Sequence, residues 1–201
     1  MQIGMIGAGR VAQSVARYLL PAGHTVLLSN SRGPESLSAL VAELEPGATA
    51  GTAEEAAHTP MVLLAIPWAA VPKALSGLPA WEGRILIDAT NQFVTKGSQL
   101  AVSDLGGRGS SEMVAELAPG ARVVKAINSV FIKNFAAGPR LGEVRRVIFL
   151  SGDDESAKRE VGILITGLGF AVIDLGDLQT GGRMQQAGGP LAGGTAIGHG
   201  G

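Results

Sequence analysis

Short apolar runs rich in Val, Ile and Leu recur along the chain, and Ala-rich stretches that suit helices separate them. The runs at 2–6, 25–29, 48–51, 61–66, 84–88, 122–127, 145–150 and 171–174 predict eight strands. Most are continuously apolar rather than alternating, as expected of parallel strands buried on both faces and joined by crossover helices. Helices are predicted at 10–21, 34–44, 53–57, 69–76, 110–118 and 154–168. Pro34 in a first turn and the glycines at 167 and 169 serve as start and stop signals. The pattern predicts one α/β domain over 1–175, followed by a glycine-rich segment over 176–201. For 176–191 two readings stay open, a frayed terminus and a segment folded over the mouth of a site; residues 192–201 are expected to be flexible.

The first strand runs straight into Gly7-Ala8-Gly9-Arg10-Val11-Ala12, at the start of a helix. This is a G-x-G-x-x-A turn in the context that dinucleotide binding requires, and it makes the predicted fold a Rossmann-type, doubly wound, mainly parallel sheet. Gly7 permits the tight turn, Gly9 leaves room for a pyrophosphate, and Ala12 lets helix and strand pack closely. N–H groups at the helix start then face the diphosphate. An acid is expected about 20 residues further on, to accept from the adenosine ribose hydroxyls. In its place the second strand ends in Ser29-Asn30-Ser31-Arg32. Hydroxyls, an amide and a guanidinium suit the extra phosphate of NADP(H), which a carboxylate would repel.

Ligands in an open parallel sheet sit beyond the carboxyl ends of the strands. Ala65, Ile66 and Pro67 form an apolar strand end beside the expected adenosine and ribose. Asp88, Thr90 and Asn91 follow the fifth predicted strand, and Asn128, Ser129 and Val130 follow the sixth. Asn91 and Asn128 offer amides to the nicotinamide end or to a substrate, or else cap turns. Lys125 has three open readings: a charge near the site, a subunit contact, or an exposed face. Acid–base machinery is sparse. His24 and His58 fall at the wrong end of the sheet, His199 lies in the tail, and no nucleophile triad or metal-ligand pair is found. Hydride transfer between bound cofactors needs positioning and exclusion of water more than a protein acid.

Composition narrows the partners to small molecules. Among 201 residues the formal net charge is −1 with both signs scattered, which excludes a large nucleic-acid surface. There is no cysteine, no apolar stretch of membrane-spanning length and no signal-peptide pattern at the start, so a cytoplasmic protein is expected.

The segments "IGMIGAGRVA", "LLSNSRGPESL", "LLAIPW", "IDATN", "VVKAINSVF", "FLSGDDESAK" and "GLGFAVIDLGDL" together resemble the NADPH-dependent coenzyme F420 reductase family over nearly the whole chain. "SNSRGPE" and the late pair "SGDD…K" and "GFxxxDLGDL" are the most specific. The nucleotide domain of the ferric-reducing metalloreductases of animal membranes is similar too. The resemblance implies reversible hydride transfer between NADP(H) and a deazaflavin, coenzyme F420, in a compact homodimer. It implies that Ser31 and Arg32 hold the adenosine phosphate and that Asn128, Ser129 and Val130 touch nicotinamide and deazaflavin. A flavin or a small carbonyl or imine as acceptor remains open, as does an NADP(H)-binding protein without turnover, such as a redox sensor or a partner subunit.

Overall fold

The structure is a computed structural model that describes residues 1–97, 99–193 and 197–198. Its strands are β1 (Gln2–Ile6), β2 (Thr25–Ser29), β3 (Ala48–Ala50), β4 (Met61–Leu64), β5 (Ile85–Asp88), β6 (Phe93–Lys96), β7 (Gln99–Val102), β8 (Arg122–Ala126), β9 (Arg140–Leu141), β10 (Val144–Gly152), β11 (Ala171–Asp174) and β12 (Ile197–Gly198). The helices are α1 (Arg10–Leu19), α2 (Ser38–Leu44), α3 (Ala53–Ala57), α4 (Val71–Leu75), α5 (Ser110–Leu117), α6 (Ile132–Ala136), α7 (Glu155–Gly167) and α8 (Arg183–Gln185). Tight 3-10 turns at Pro34–Leu37 and Trp68–Ala70 lead into α2 and α4, so each of those two predicted helices is a turn followed by a helix.

The main sheet runs β11-β10-β8-β5-β4-β1-β2-β3, a path of the eight strands the apolar runs predict. Order reverses at β1, which pairs with β2 on one side and β4 on the other, both parallel. That reversal opens the crevice in which α/β proteins bind ligands. One strand breaks the parallel pattern: β10 runs antiparallel to β8, with Leu150 opposite Ala126, and β11 then follows β10 in parallel.

Continuous burial in the central strands has a simple cause. In β4 all four residues are buried; Met61 and Leu63 join one apolar cluster, and Val62 and Leu64 join the other. Successive side chains point to opposite faces, and both faces are covered, so every position must be apolar. The first cluster gathers α1, β1, β2 and α7, and extends to Phe135 and Phe170, stacked at 4.8 Å with Tyr18 edge-on to both. The second gathers Ile6, Leu75, Trp81, Val114, Val123 and Leu178.

Leu178 belongs to the glycine-rich segment, which packs on the sheet from there through Ala187. Leu178, Gly181, Gly182, Gln185 and Ala187 are all buried. The segment is tied down at its start by the residues of the "SGDD…K" and "DLGDL" motifs. Asp153 accepts from the Leu178 N–H at 3.0 Å, Asp177 accepts from the Thr180 N–H at 2.6 Å, and Lys158 bridges Asp174 and Glu155. The flexible end expected at 192–201 falls largely on residues 194–196 and 199–201, outside the described residues, as does His199. Within that stretch, β12 pairs with Arg145 and Arg146 of β10. The β6–β7 hairpin, α6 and β9 have no counterpart among the predicted elements.

Candidate functional site

The turn after β1 has the geometry its sequence calls for. Gly7 has φ +111°, a conformation that favours glycine, and its N–H donates to Ser29 O at 3.0 Å. A Cβ there would collide with the Ala65 carbonyl, so the exits of β1, β2 and β4 meet at this glycine. Gly9 differs: a Cβ on it would meet nothing within 4 Å, so its face is open. It stands at the N-cap of α1 with no capping side chain, and the first turn of the helix contains no acid. The orphan N–H groups and the positive end of the helix dipole are thus left for an anion. Ala12 is fully buried against the sheet. Ala8 and Val11 are half-buried on the first cluster, and the Gln13 side chain ties the Ala8 carbonyl at 2.9 Å.

Beside this turn, the four residues after β2 divide into two roles. Ser29 is fully buried and donates its hydroxyl to Met5 O at 2.8 Å, so it does not face a ligand. A strand covered on both faces hides even its last side chain. Asn30 shapes the loop: its Oδ1 accepts from the Arg32 N–H at 2.8 Å and its Nδ2 donates to Ser36 Oγ at 2.9 Å. Ser31 and Arg32 are exposed, and among the described residues their side chains have no hydrogen bond or ion pair, nor has Arg10. Two guanidiniums, a hydroxyl and an uncapped helix start thus share one rim, with no carboxylate among Ser29 to Arg32 to oppose a phosphate. A pyrophosphate and an adenosine phosphate fit this donor set. Ala65 and Ile66 are half-buried and Pro67 is exposed, continuing the rim in apolar form.

Across the crevice the amides lock to one another. Asn91 Nδ2 donates to Asn128 O at 2.8 Å, and Asn128 Nδ2 donates to Asn91 Oδ1 at 3.1 Å and to Gln185 O at 2.8 Å. Asn128 and Ser129 are buried and Val130 is half-buried. The exit from β8 is strained, because Ile127 adopts φ +69°, an outlier for a β-branched residue. Two glutamines with no sequence signal complete the arrangement. Gln185 Nε2 donates to Lys125 O and Ser151 Oγ, and Gln92 Nε2 donates to Ala187 O at 2.9 Å. Among the described residues, the side-chain oxygens of Asn128, Gln92 and Gln185 are buried without a partner. Arg183 pairs with Glu112 at 2.8 Å, and Gln186 accepts from the Ser110 N–H, so the C-terminal segment lies closed over the ends of β5 and β8.

Lys125 is neither exposed nor at a subunit surface. It is fully buried and donates to Asp88 at 3.2 Å, Thr90 O at 3.2 Å and Ser110 Oγ at 3.0 Å. Burial pushes its ammonium pKa down, against the pull of the Asp88 carboxylate. His24, beside the N-terminal ammonium, and exposed His58 lie away from this crevice. Among the described residues no group of three His, Cys, Asp or Glu is placed to hold a metal, and no helix is long and apolar enough to cross a membrane.

Fold and strand-end turn define the class, a Rossmann-type protein of an NADP-dependent oxidoreductase family. Residues 2–92 match the model of the family described as NADP oxidoreductase, coenzyme F420-dependent. A hypothetical protein from Sinorhizobium meliloti is 37% identical and superposes with a TM-score of 0.90 over 98% of this chain and 96% of its own. A candidate F420-dependent NADP reductase from Arthrobacter sp. FB24 is 26% identical, with a TM-score of 0.79 over 95% of this chain and 90% of its own. The metalloreductase STEAP3 of Rattus norvegicus is 30% identical over 178 residues, 88% of this chain; the chain spans 34% of that protein's length.

Proposed function

We propose that the protein binds NADP(H) along the rim from Gly7 to Arg32 and exchanges hydride between its nicotinamide and a deazaflavin of the coenzyme F420 type. The observation that carries the cofactor half is the open face at Gly9 beside Arg10, Ser31 and Arg32, whose side chains have no partner among the described residues. The family description and the Arthrobacter relative support the deazaflavin half. The α1 N–H groups hold the diphosphate, Ser31 and Arg32 take the adenosine phosphate, and Ala65, Ile66 and Pro67 flank the ribose. Asn91, Asn128, Ser129 and Val130 line the nicotinamide end, with Asn128 Oδ1, which has no partner among the described residues, as an available acceptor. The bound cofactor supplies the hydride, and the chain's residues orient it and keep water out.

A second reading, an NADP(H)-binding protein without turnover, draws on the burial of Asn128 and Ser129 beneath the C-terminal segment. Titration with NADPH and NADH, followed by stopped-flow mixing of the NADPH complex with oxidised deazaflavin, separates the two. Saturable loss of deazaflavin absorbance is the expected result. Tight NADPH binding without loss against deazaflavin, flavin and small imines would leave the second reading. A homodimer in the cytoplasm belongs to the same proposal. Exposed Phe93, Leu100, Val102 and Phe131 support the dimer, which light scattering on the eluted protein tests.

A further inference from the structure

The fully buried Lys125–Asp88 pair lies where an apolar pair of similar size would hold a core at least as well. Apart from the bond within the pair, every side-chain hydrogen bond it makes reaches the exit of β5 or the start of α5, while Lys125 itself stands one residue before the end of β8. Lys125 Nζ donates to the Thr90 carbonyl and to Ser110 Oγ. Asp88 Oδ1 accepts from the Thr90 N–H at 2.8 Å and from its hydroxyl at 2.6 Å, and Asp88 Oδ2 accepts from Ser111 Oγ. Thr90 is therefore gripped at its N–H, hydroxyl and carbonyl, one residue before Asn91. Lys125 stands three residues before Asn128, and its own carbonyl is held by Gln185 Nε2 at 3.1 Å. Ile127 lies between them in its strained conformation. Such strain persists only where the surroundings over-determine it.

We infer that Lys125 and Asp88 are positioning residues: they fix the two strand exits so that the Asn91–Asn128 amide pair faces the nicotinamide end in one geometry. The inference rests on the NADP(H) reading above and goes beyond it in assigning a role to a pair that touches no ligand. A buried ion pair used for a single arrangement rather than for net stability is a known physical option.

The test compares NADPH with 2′-phospho-ADP-ribose, which carries the same phosphates but no nicotinamide. In the wild type NADPH binds more tightly, the difference reporting the nicotinamide contacts. In Lys125→Met/Asp88→Asn, which removes both charges together, 2′-phospho-ADP-ribose affinity stays within about twofold, while the NADPH advantage falls by about fivefold, the size of one hydrogen bond. Single-turnover hydride transfer falls further, by about a hundredfold, the cost of a misplacement near 1 Å. A folded double variant with the wild-type affinity ratio and transfer rate would overturn the positioning role and leave the cofactor reading intact. Equal wild-type affinity for the two ligands would sink that reading and the inference with it. If the double variant does not fold, Ser110→Ala removes one Nζ partner without leaving a lone charge. It carries the same prediction at about twofold, and an unchanged ratio there overturns the role.

Discussion

The two sides of the crevice are built on opposite plans. On the side of β1 and β2, the groups that face a ligand are exposed and idle, and the backbone does the shaping through Gly7 and the Asn30 loop. On the side of β5 and β8, the polar groups are buried and already engaged with one another, across separations of 37, 57 and 95 residues. The first side resembles a socket that needs only its anion. The second is a fitted polar core, in which each amide is placed by another and the cost of disturbance is high. Binding strength is thus expected to come from the first side, and geometry from the second.

The largest effect separating the two plans is expected from Lys125→Met alone. It leaves the Asp88 carboxylate fully buried and unpaired, a loss of about 3–5 kcal/mol. A urea melt followed by circular dichroism should show the midpoint falling accordingly. A loss below 1 kcal/mol would mean that the β5–β8 side tolerates disturbance as the socket side does.

Next in size is Arg32→Ala, whose side chain makes no hydrogen bond or ion pair among the described residues, so the melt should be unchanged. Its predicted cost is to NADPH affinity, about 2 kcal/mol for a lost charge-assisted pair, with NADH affinity unchanged. Equal losses for both nucleotides, measured by fluorescence titration, would remove the phosphate assignment. Gly9→Ala sharpens the point. A Cβ there meets nothing in the protein, so stability should move by about 0.5 kcal/mol or less while both nucleotides weaken together. Ser29→Ala is the converse. It removes the hydroxyl bound to Met5 O, lowering stability by about 1 kcal/mol without altering the preference between NADPH and NADH.

The same contrast explains what could be read from the sequence. Gly7 to Ala12 and Asn30 to Arg32 are contiguous, and the chemistry of each position follows from its offset from a strand, so the turn and the idle Arg32 were legible. Ser29 has the expected offset, but a strand sandwiched between two layers points its hydroxyl into the core. The direction of β10 was not legible, because an apolar run looks the same whichever way it is crossed. The hairpin carried a local signal, Lys96-Gly97-Ser98 between two short runs that include β-branched residues. The amide lock was out of reach because Gln92 and Gln185 stand in no motif. Their roles arise from where the glycine-rich segment returns to the sheet, and composition alone left that open between fraying and closure.

The smallest effect concerns the start of that segment, where α7 and the "DLGDL" stretch anchor it. Asp154 caps α7, accepting from the Ala157 N–H at 2.7 Å and from Ser156 Oγ at 2.6 Å. The Ser156 hydroxyl foremost, with the Ala157 N–H, holds its carboxyl below the ordinary value, burial opposing only slightly and Arg122 adding to the fall. A carboxyl depressed in the folded state contributes stability that is present above its unfolded value and lost as the pH falls through its folded value. Asp177 is depressed for the same kind of reason, by the Thr180 backbone N–H and hydroxyl. Acidification through those lowered values should therefore loosen the anchor at the start of the C-terminal segment. Asp154→Asn keeps a good cap but cannot titrate, so its melting temperature should match the wild type near neutrality and fall less steeply in acid. Hydrogen exchange across residues 155–180 reads the same difference locally. Equal acid slopes for the two proteins would place the acid sensitivity elsewhere, whereas a shallower slope for Asp154→Asn would place it at the α7 cap, a carboxylate remote from the crevice.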